Sequence, residues 1–116
     1  MSVQMLVVQL WTTEAIGAGA VATSAAVDIG KASAMALHLT AITGTTPDVT
    51  FTYSLSSSRE GTFTVPVSPV TIKANAAAAD VLDFAPEAAS FIKLIATNNS
   101  GANIATITAQ LAVQEL

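Results

Sequence analysis

Cysteine is absent, which excludes disulfides and thiolate metal sites and leaves packing and hydrogen bonding to hold the chain together. Charge is scarce as well. Asp, Glu, Lys and Arg make up 10% of the 116 residues, against about a quarter in typical soluble proteins. The net charge is −4 and the four basic residues, Lys31, Arg59, Lys73 and Lys93, are scattered. A nucleic-acid partner needs clustered cations to neutralise phosphates, so none is expected. Although 52% of the residues are apolar and the mean hydropathy is +0.60, long hydrophobic runs are missing too. A bilayer span needs about 20 consecutive apolar residues. The nearest stretch, 15–37, is interrupted by Thr23, Ser24, Asp28, Lys31 and Ser33, and no membrane partner is expected. The opening segment, 1–11, lacks a basic start and carries Gln4 and Gln9 at strand-like spacing, so no cleaved targeting segment is predicted.

What is present is β-pattern. A length of 116 residues suits one domain, assigned as 1–116. The clearest strand is Val49, Phe51, Tyr53 and Leu55 alternating with Thr50, Thr52, Ser54 and Ser56, which buries one face and presents hydroxyls on the other. Gly44-Thr45-Thr46-Pro47-Asp48 precedes it as a turn, and Ser56 to Gly61 follows as another. At the carboxy-terminal end Ile107, Leu111 and Val113 point inward with Ala105 and Ala109 between them. Phe91 to Thr97 buries Ile92, Leu94 and Ala96. The Asn-rich turn 98–103 between these two segments predicts a hairpin.

Val3 to Trp11 reads as a strand apolar on both faces, with Val3, Met5, Val7 and Trp11 on one and Leu6, Val8 and Leu10 on the other. Further strands are predicted over 25–29, 35–43, 62–65, 70–73 and 80–84. The stretch 15–26 is Ala-rich, yet its glycines and β-branched residues predict a loop. Ala74 to Asp83 and Pro86 to Ala89 leave room for a short helical turn. The sum is an all-β fold, an antiparallel β-sandwich of jelly-roll-like form with about eight to nine strands.

Chemistry finds little to use. A Ser-His-Asp mechanism has one histidine available, His38, which lies in mid-strand on the face opposite Leu37 and Leu39. There is no Gly-x-Ser-x-Gly and no phosphate-cradling glycine loop. The carboxylate pairs Asp80 with Asp83 and Glu60 with Glu87 have no pattern that brings them together for glycoside hydrolysis. Asp28, Asp48, Asp80 and Asp83 lie near turns but lack the Asp-x-Asp-x-Asp spacing of a calcium loop. The reading is therefore no enzyme, no catalytic or metal residue and no cofactor. For a carbohydrate module, Trp11 is the one candidate stacking platform.

The surface composition carries the positive expectation. Ala, Ser and Thr supply 48 of the 116 residues, replacing the Lys and Glu that keep a free monomer soluble. Small uncharged side chains lose little entropy on burial and let backbones approach, which suits permanent subunit contacts. The expected assembly interface comprises Val3, Met5, Leu6, Val8, Leu10 and Trp11 in the first strand, with Leu111, Val113 and Leu116 in the last.

Two segments carry a family likeness. Gly44-Thr45-Thr46-Pro47-Asp48-Val49-Thr50-Phe51-Thr52-Tyr53-Ser54-Leu55-Ser56, followed by Gly61 and Phe63, is one. Phe91-Ile92-Lys93-Leu94-Ile95-Ala96-Thr97-Asn98-Asn99-Ser100-Gly101, leading into a Thr-rich last strand, is the other. Together they resemble the small β-sandwich virion proteins of tailed bacteriophages, the capsid decoration (cement) and tail-associated subunits. That resemblance implies a structural subunit in the virion, made in the host cytoplasm. It also implies a homo-oligomer that contacts the major capsid protein or tail proteins. A tail-fibre or carbohydrate-binding β-sandwich module is the alternative.

Overall fold

A computed structural model describes residues 4–45, 47–65, 72–74, 80–84 and 89–115; for 72–74 and 80–84 only the backbone is considered. Nine strands are formed among the described residues: β1 (Gln4–Ile16), β2 (Val21–Thr23), β3 (Val27–Asp28), β4 (Ala32–Gly44), β5 (Val49–Ser56), β6 (Ile72–Ala74), β7 (Asp80–Phe84), β8 (Phe91–Asn98) and β9 (Ala105–Glu115). They build two antiparallel sheets. The first runs β1-β9-β4-β7; the second runs β2-β8-β5-β6, with β3 also paired to β8. β2 and β3 lie against different ends of β8, at Ile95–Thr97 and Phe91–Ile92, so together they act as one interrupted strand. The chain changes sheet at every connection except β2 to β3 and β5 to β6. This order is that of an eight-stranded jelly roll.

The period-2 pattern of the sequence explains the core. In β5, Val49, Phe51 and Tyr53 are buried; in β8, Ile92, Leu94 and Ala96; in β9, Ala105, Ile107, Ala109, Leu111 and Val113. β4 contributes Met35, Leu37, Leu39 and Ile42. Because successive strand side chains point to opposite faces, these sets fill the gap between the sheets. Alternation in β4 breaks between Leu39 and Ala41, where an irregularity lets Ile42 return to the core opposite Ile107. Gly44 ends β4 with φ of 140°. A Cβ there would lie 2.6 Å from the Ile104 carbonyl oxygen, so the close approach to β9 requires glycine.

Several expectations change. The predicted hairpin of Phe91–Thr97 with the last strand does not form: β8 belongs to one sheet and β9 to the other, and the 99–104 connection crosses the sandwich. Alternation tells which face a strand buries but not which neighbour it bonds, and both strands bury a face in the same core. The predicted loop 15–26 is a tight turn at 17–20 flanked by the end of β1 and by β2. The turn is closed by Ala20 N–H to Gly17 O (3.0 Å). Segment 62–65 forms only a bridge, Thr64 with Leu55, rather than a strand. Of the two helical-turn candidates, Ala74 and Asp80–Asp83 lie in strands, while 75–79 and 86–88 fall outside the described residues.

Candidate assembly interface

β1 is an edge strand, bonded on one side to β9. From Gln4 to Gln9 the register is one-to-one, Gln4 opposite Glu115 through Gln9 opposite Gln110. Two irregularities follow, between Gln9 and Trp11 and between Trp11 and Glu14. A single extra residue in a strand turns every later side chain to the other face. Met5, Val7 and Gln9 therefore lie on the outer face of the sheet, over Gln114, Ala112 and Gln110, whereas Trp11 joins Leu6 and Val8 on the core side.

This rearranges the predicted interface. Trp11 is 4% exposed, with its ring centroid 6.2 Å from that of Phe51, and Leu111 and Val113 are fully buried. These three are core residues and not contact residues, because the first bulge and the alternation of β9 direct them between the sheets. Val8 and Leu10 are half-buried against the same core. Met5 and Leu6 are exposed, at 64% and 42%, and Val7, within the same apolar run of 3–10, is exposed at 53%. Val3 and Leu116 lie outside the described residues.

The bulges are held by side chains. Gln9 Nε2 donates to the carbonyls of Trp11 (2.8 Å) and Ala109 (3.3 Å), and Gln110 Nε2 donates to Gln9 Oε1 (2.9 Å). Thr13 carries a positive φ of 44°, and its N–H donates to Thr108 Oγ1 at 3.0 Å. A β-branched residue is costly in the left-handed region. Thr13→Gly removes that strain, keeps the backbone hydrogen bond, and raises the unfolding free energy by about 0.5–1 kcal/mol in urea titrations.

Charge is scarce on three of the four strands of this sheet. β1, β9 and β4 contain only Glu14 and Glu115 as ionised residues, while β7 carries Asp80 and Asp83 at the far edge. His38 is half-buried on the outer face, opposite Gln110, as its position between Leu37 and Leu39 predicts. A shallow depression of about 230 Å³ is lined by Met5, Ala34, Ala36, His38, Ala112 and Gln114, among others.

On the second sheet two aromatic rings carry cations. The Arg59 guanidinium lies 4.8 Å from the Phe91 ring centroid and donates to the Ala26 carbonyl at 3.2 Å. The Lys93 ammonium lies 4.4 Å from the ring centroid of Phe63. Two of the four basic residues are thus spent over aromatic rings of one sheet, while the other presents alanine, glutamine, threonine and exposed Met5 and Val7. Among the described residues, no three His, Asp or Glu side chains gather where they could hold a metal ion. Asp28 Oδ1 instead accepts the Gly30 N–H (2.9 Å), and Asp48 Oδ1 accepts from Asn99 Nδ2 (3.3 Å).

Fold and surface together define a jelly-roll sandwich in which one sheet has two cation-capped aromatic rings and the other has few charges on β1, β9 and β4 and is open along β1. No protein-family model matches the sequence, and no curated protein is similar to it.

Proposed function

We propose that this protein is a structural subunit of a virus particle, a decoration subunit of a tailed-phage shell that works by burying surface against neighbouring virion proteins. The observation that supports this reading is the asymmetry between the sheets. One has two aromatic rings capped by Arg59 and Lys93, and the other is poor in charge over β1, β9 and β4, with Met5, Leu6 and Val7 exposed along its β1 edge. Exposed apolar side chains in a charge-poor setting mark contact surfaces. The sequence likeness described above supplies the virion setting, and jelly rolls recur in capsid proteins. Such a subunit stabilises a shell by mass action, since whatever binds the assembled state favours it.

The carbohydrate-binding alternative loses its stacking platform, because Trp11 is interior and Phe63 and Phe91 each carry a cation. The reading is tested with particles from which the gene has been deleted. Adding purified protein restores a fixed, symmetry-related copy number and raises the temperature at which the particles break. Particles that neither contain nor take up the protein would remove the virion assignment.

A further inference from the structure

Open sheet edges are templates for pairing, and proteins blunt them with short strands, charges, prolines or bulges. Among the described residues, three of the four sheet edges are blunted. β6 is 3 residues long and contains Lys73; β7 is 5 residues long and contains Asp80 and Asp83; the β2/β3 edge is split into pieces of 3 and 2 residues, one ending in Asp28. β1 is 13 residues long, and its second half is bent by two bulges. Its first half has no such protection. Gln4-Met5-Leu6-Val7-Val8-Gln9 contains no charge, proline or glycine and is in regular register with β9 throughout. Alternate residues of an edge strand direct their N–H and C=O groups away from the sheet. Among the described residues nothing pairs with that side of β1.

We infer that this half-strand joins a second copy of the chain, the two β1 strands running antiparallel so that two four-stranded sheets become one of eight strands. The pairing rests on the assembly reading of the same strand and names its partner. A two-fold axis perpendicular to the sheet places opposite each other residues that share a face, so the numbers of each pair sum to a constant even value. With the axis at Leu6, Leu6 faces its own copy on the core side, and Met5 faces Val7 of the second copy on the outer side. Gln4 faces Val8. The exposed trio Met5, Leu6 and Val7 is then centred on the axis. Leu6, which is 42% exposed although it points to the core side, is covered by its counterpart. No like charges meet, because the segment has none. A partner with a different edge would have to match this register by chance, whereas a copy of the strand matches it by symmetry.

The chain contains no cysteine, so a single substitution introduces the only thiol. Directly opposed residues in an antiparallel pair have Cα atoms about 4.5–5.5 Å apart, within disulfide range. Leu6→Cys is expected to give a covalent dimer under mild oxidation, and Val21→Cys, on the β2 edge and 56% exposed, to form no covalent dimer. In sedimentation velocity the unmodified protein runs as a dimer at micromolar concentration. Val7→Lys weakens that dimer at least about tenfold by placing a lysine on the pairing edge, with an unchanged circular dichroism spectrum. Ile104→Lys, at a distant exposed site, leaves it intact. A monomer throughout the micromolar range overturns the pairing, as does a dimer indifferent to Val7→Lys whose Leu6→Cys form fails to cross-link. A monomer that still binds gene-deleted particles overturns the pairing alone. A dimer that shows the expected cross-link but binds no particle upholds the pairing and removes the virion assignment.

Discussion

Trp11→Ala is expected to lower the unfolding free energy by about 3–5 kcal/mol, the cost of emptying a large aromatic site in a packed core. Trp11 is 4% exposed, and its ring meets Phe51, itself fully buried on the opposite sheet, at an interplanar angle of 51°. It is the aromatic contact by which edge strand β1 is tied across the sandwich. Truncation removes that contact and leaves a void that neighbouring strands, fixed by their ladders, fill only in part. Domains of this size have a total stability of about 5–15 kcal/mol, so the loss is a large fraction of the whole. Urea unfolding followed by circular dichroism checks the value, since the variant has no tryptophan to report on itself. Trp11→Phe keeps a ring in the site and loses less. A variant as stable as the parent would mean that β1 is held by its bonds to β9 alone, and Trp11 would return to the surface as a contact residue.

Strand positions were mostly legible in the sequence, and their partners were not. The alternation of Val49, Phe51 and Tyr53 with hydroxyl residues marks the bounds of β5, because burial on one face imposes a period of two, although Ser54 and Ser56, expected on the hydroxyl face, are buried and Leu55 is only half-buried. The same signal describes β8 and β9 equally well, yet it is silent on whether they bond to each other. In the fold β8 bonds to β5 and β9 to β4, which places them in different sheets. The interface was half legible for a related reason. Exposed Met5 and Leu6 follow from an apolar run with no visible cover. Trp11 was misplaced by a bulge held by Gln9, whose amide bonds to the carbonyls of Trp11 and Ala109 look in sequence like surface polarity. Capping of Phe63 and Phe91 by Lys93 and Arg59 was equally hidden, since Arg59 reaches Phe91 across 32 positions of the chain.

Asn98 shows the same limit at a single residue, and its replacement is the second large effect expected. In sequence it opens an Asn-rich turn; in the fold it is 1% exposed and holds the crossing between the sheets. Its Nδ2 donates to the carbonyls of Ile16 (2.9 Å), Gly17 (3.1 Å) and Asn103 (2.9 Å), and its Oδ1 accepts the Ser100 N–H (3.0 Å). An amide nitrogen has two hydrogens, so one is shared between acceptors. The side chain thus joins the end of β1, the turn after it and the loop from β8 to β9.

Asn98→Ala removes the side-chain donor to the Ile16 and Asn103 carbonyls, while the Gly17 carbonyl keeps the Ala20 N–H. Each unmatched buried group costs about 1–3 kcal/mol. Because Gly17 and Asn103 are near solvent, the net loss is about 2–4 kcal/mol. Asn98→Asp keeps the acceptor for Ser100 but turns a second carboxylate oxygen toward three carbonyl oxygens, so at neutral pH it destabilises more than alanine despite its closer shape. Urea titration ranks the three proteins. Hydrogen exchange separates a local from a global effect, since the amides of Gly19, bonded to the Ser100 carbonyl, and of Asn98, bonded to that of Ala20, lose protection first. If Asp were tolerated better than Ala, the cluster of carbonyls around Nδ2 could not be what fixes this corner, and the crossing would be held by the backbone bonds alone.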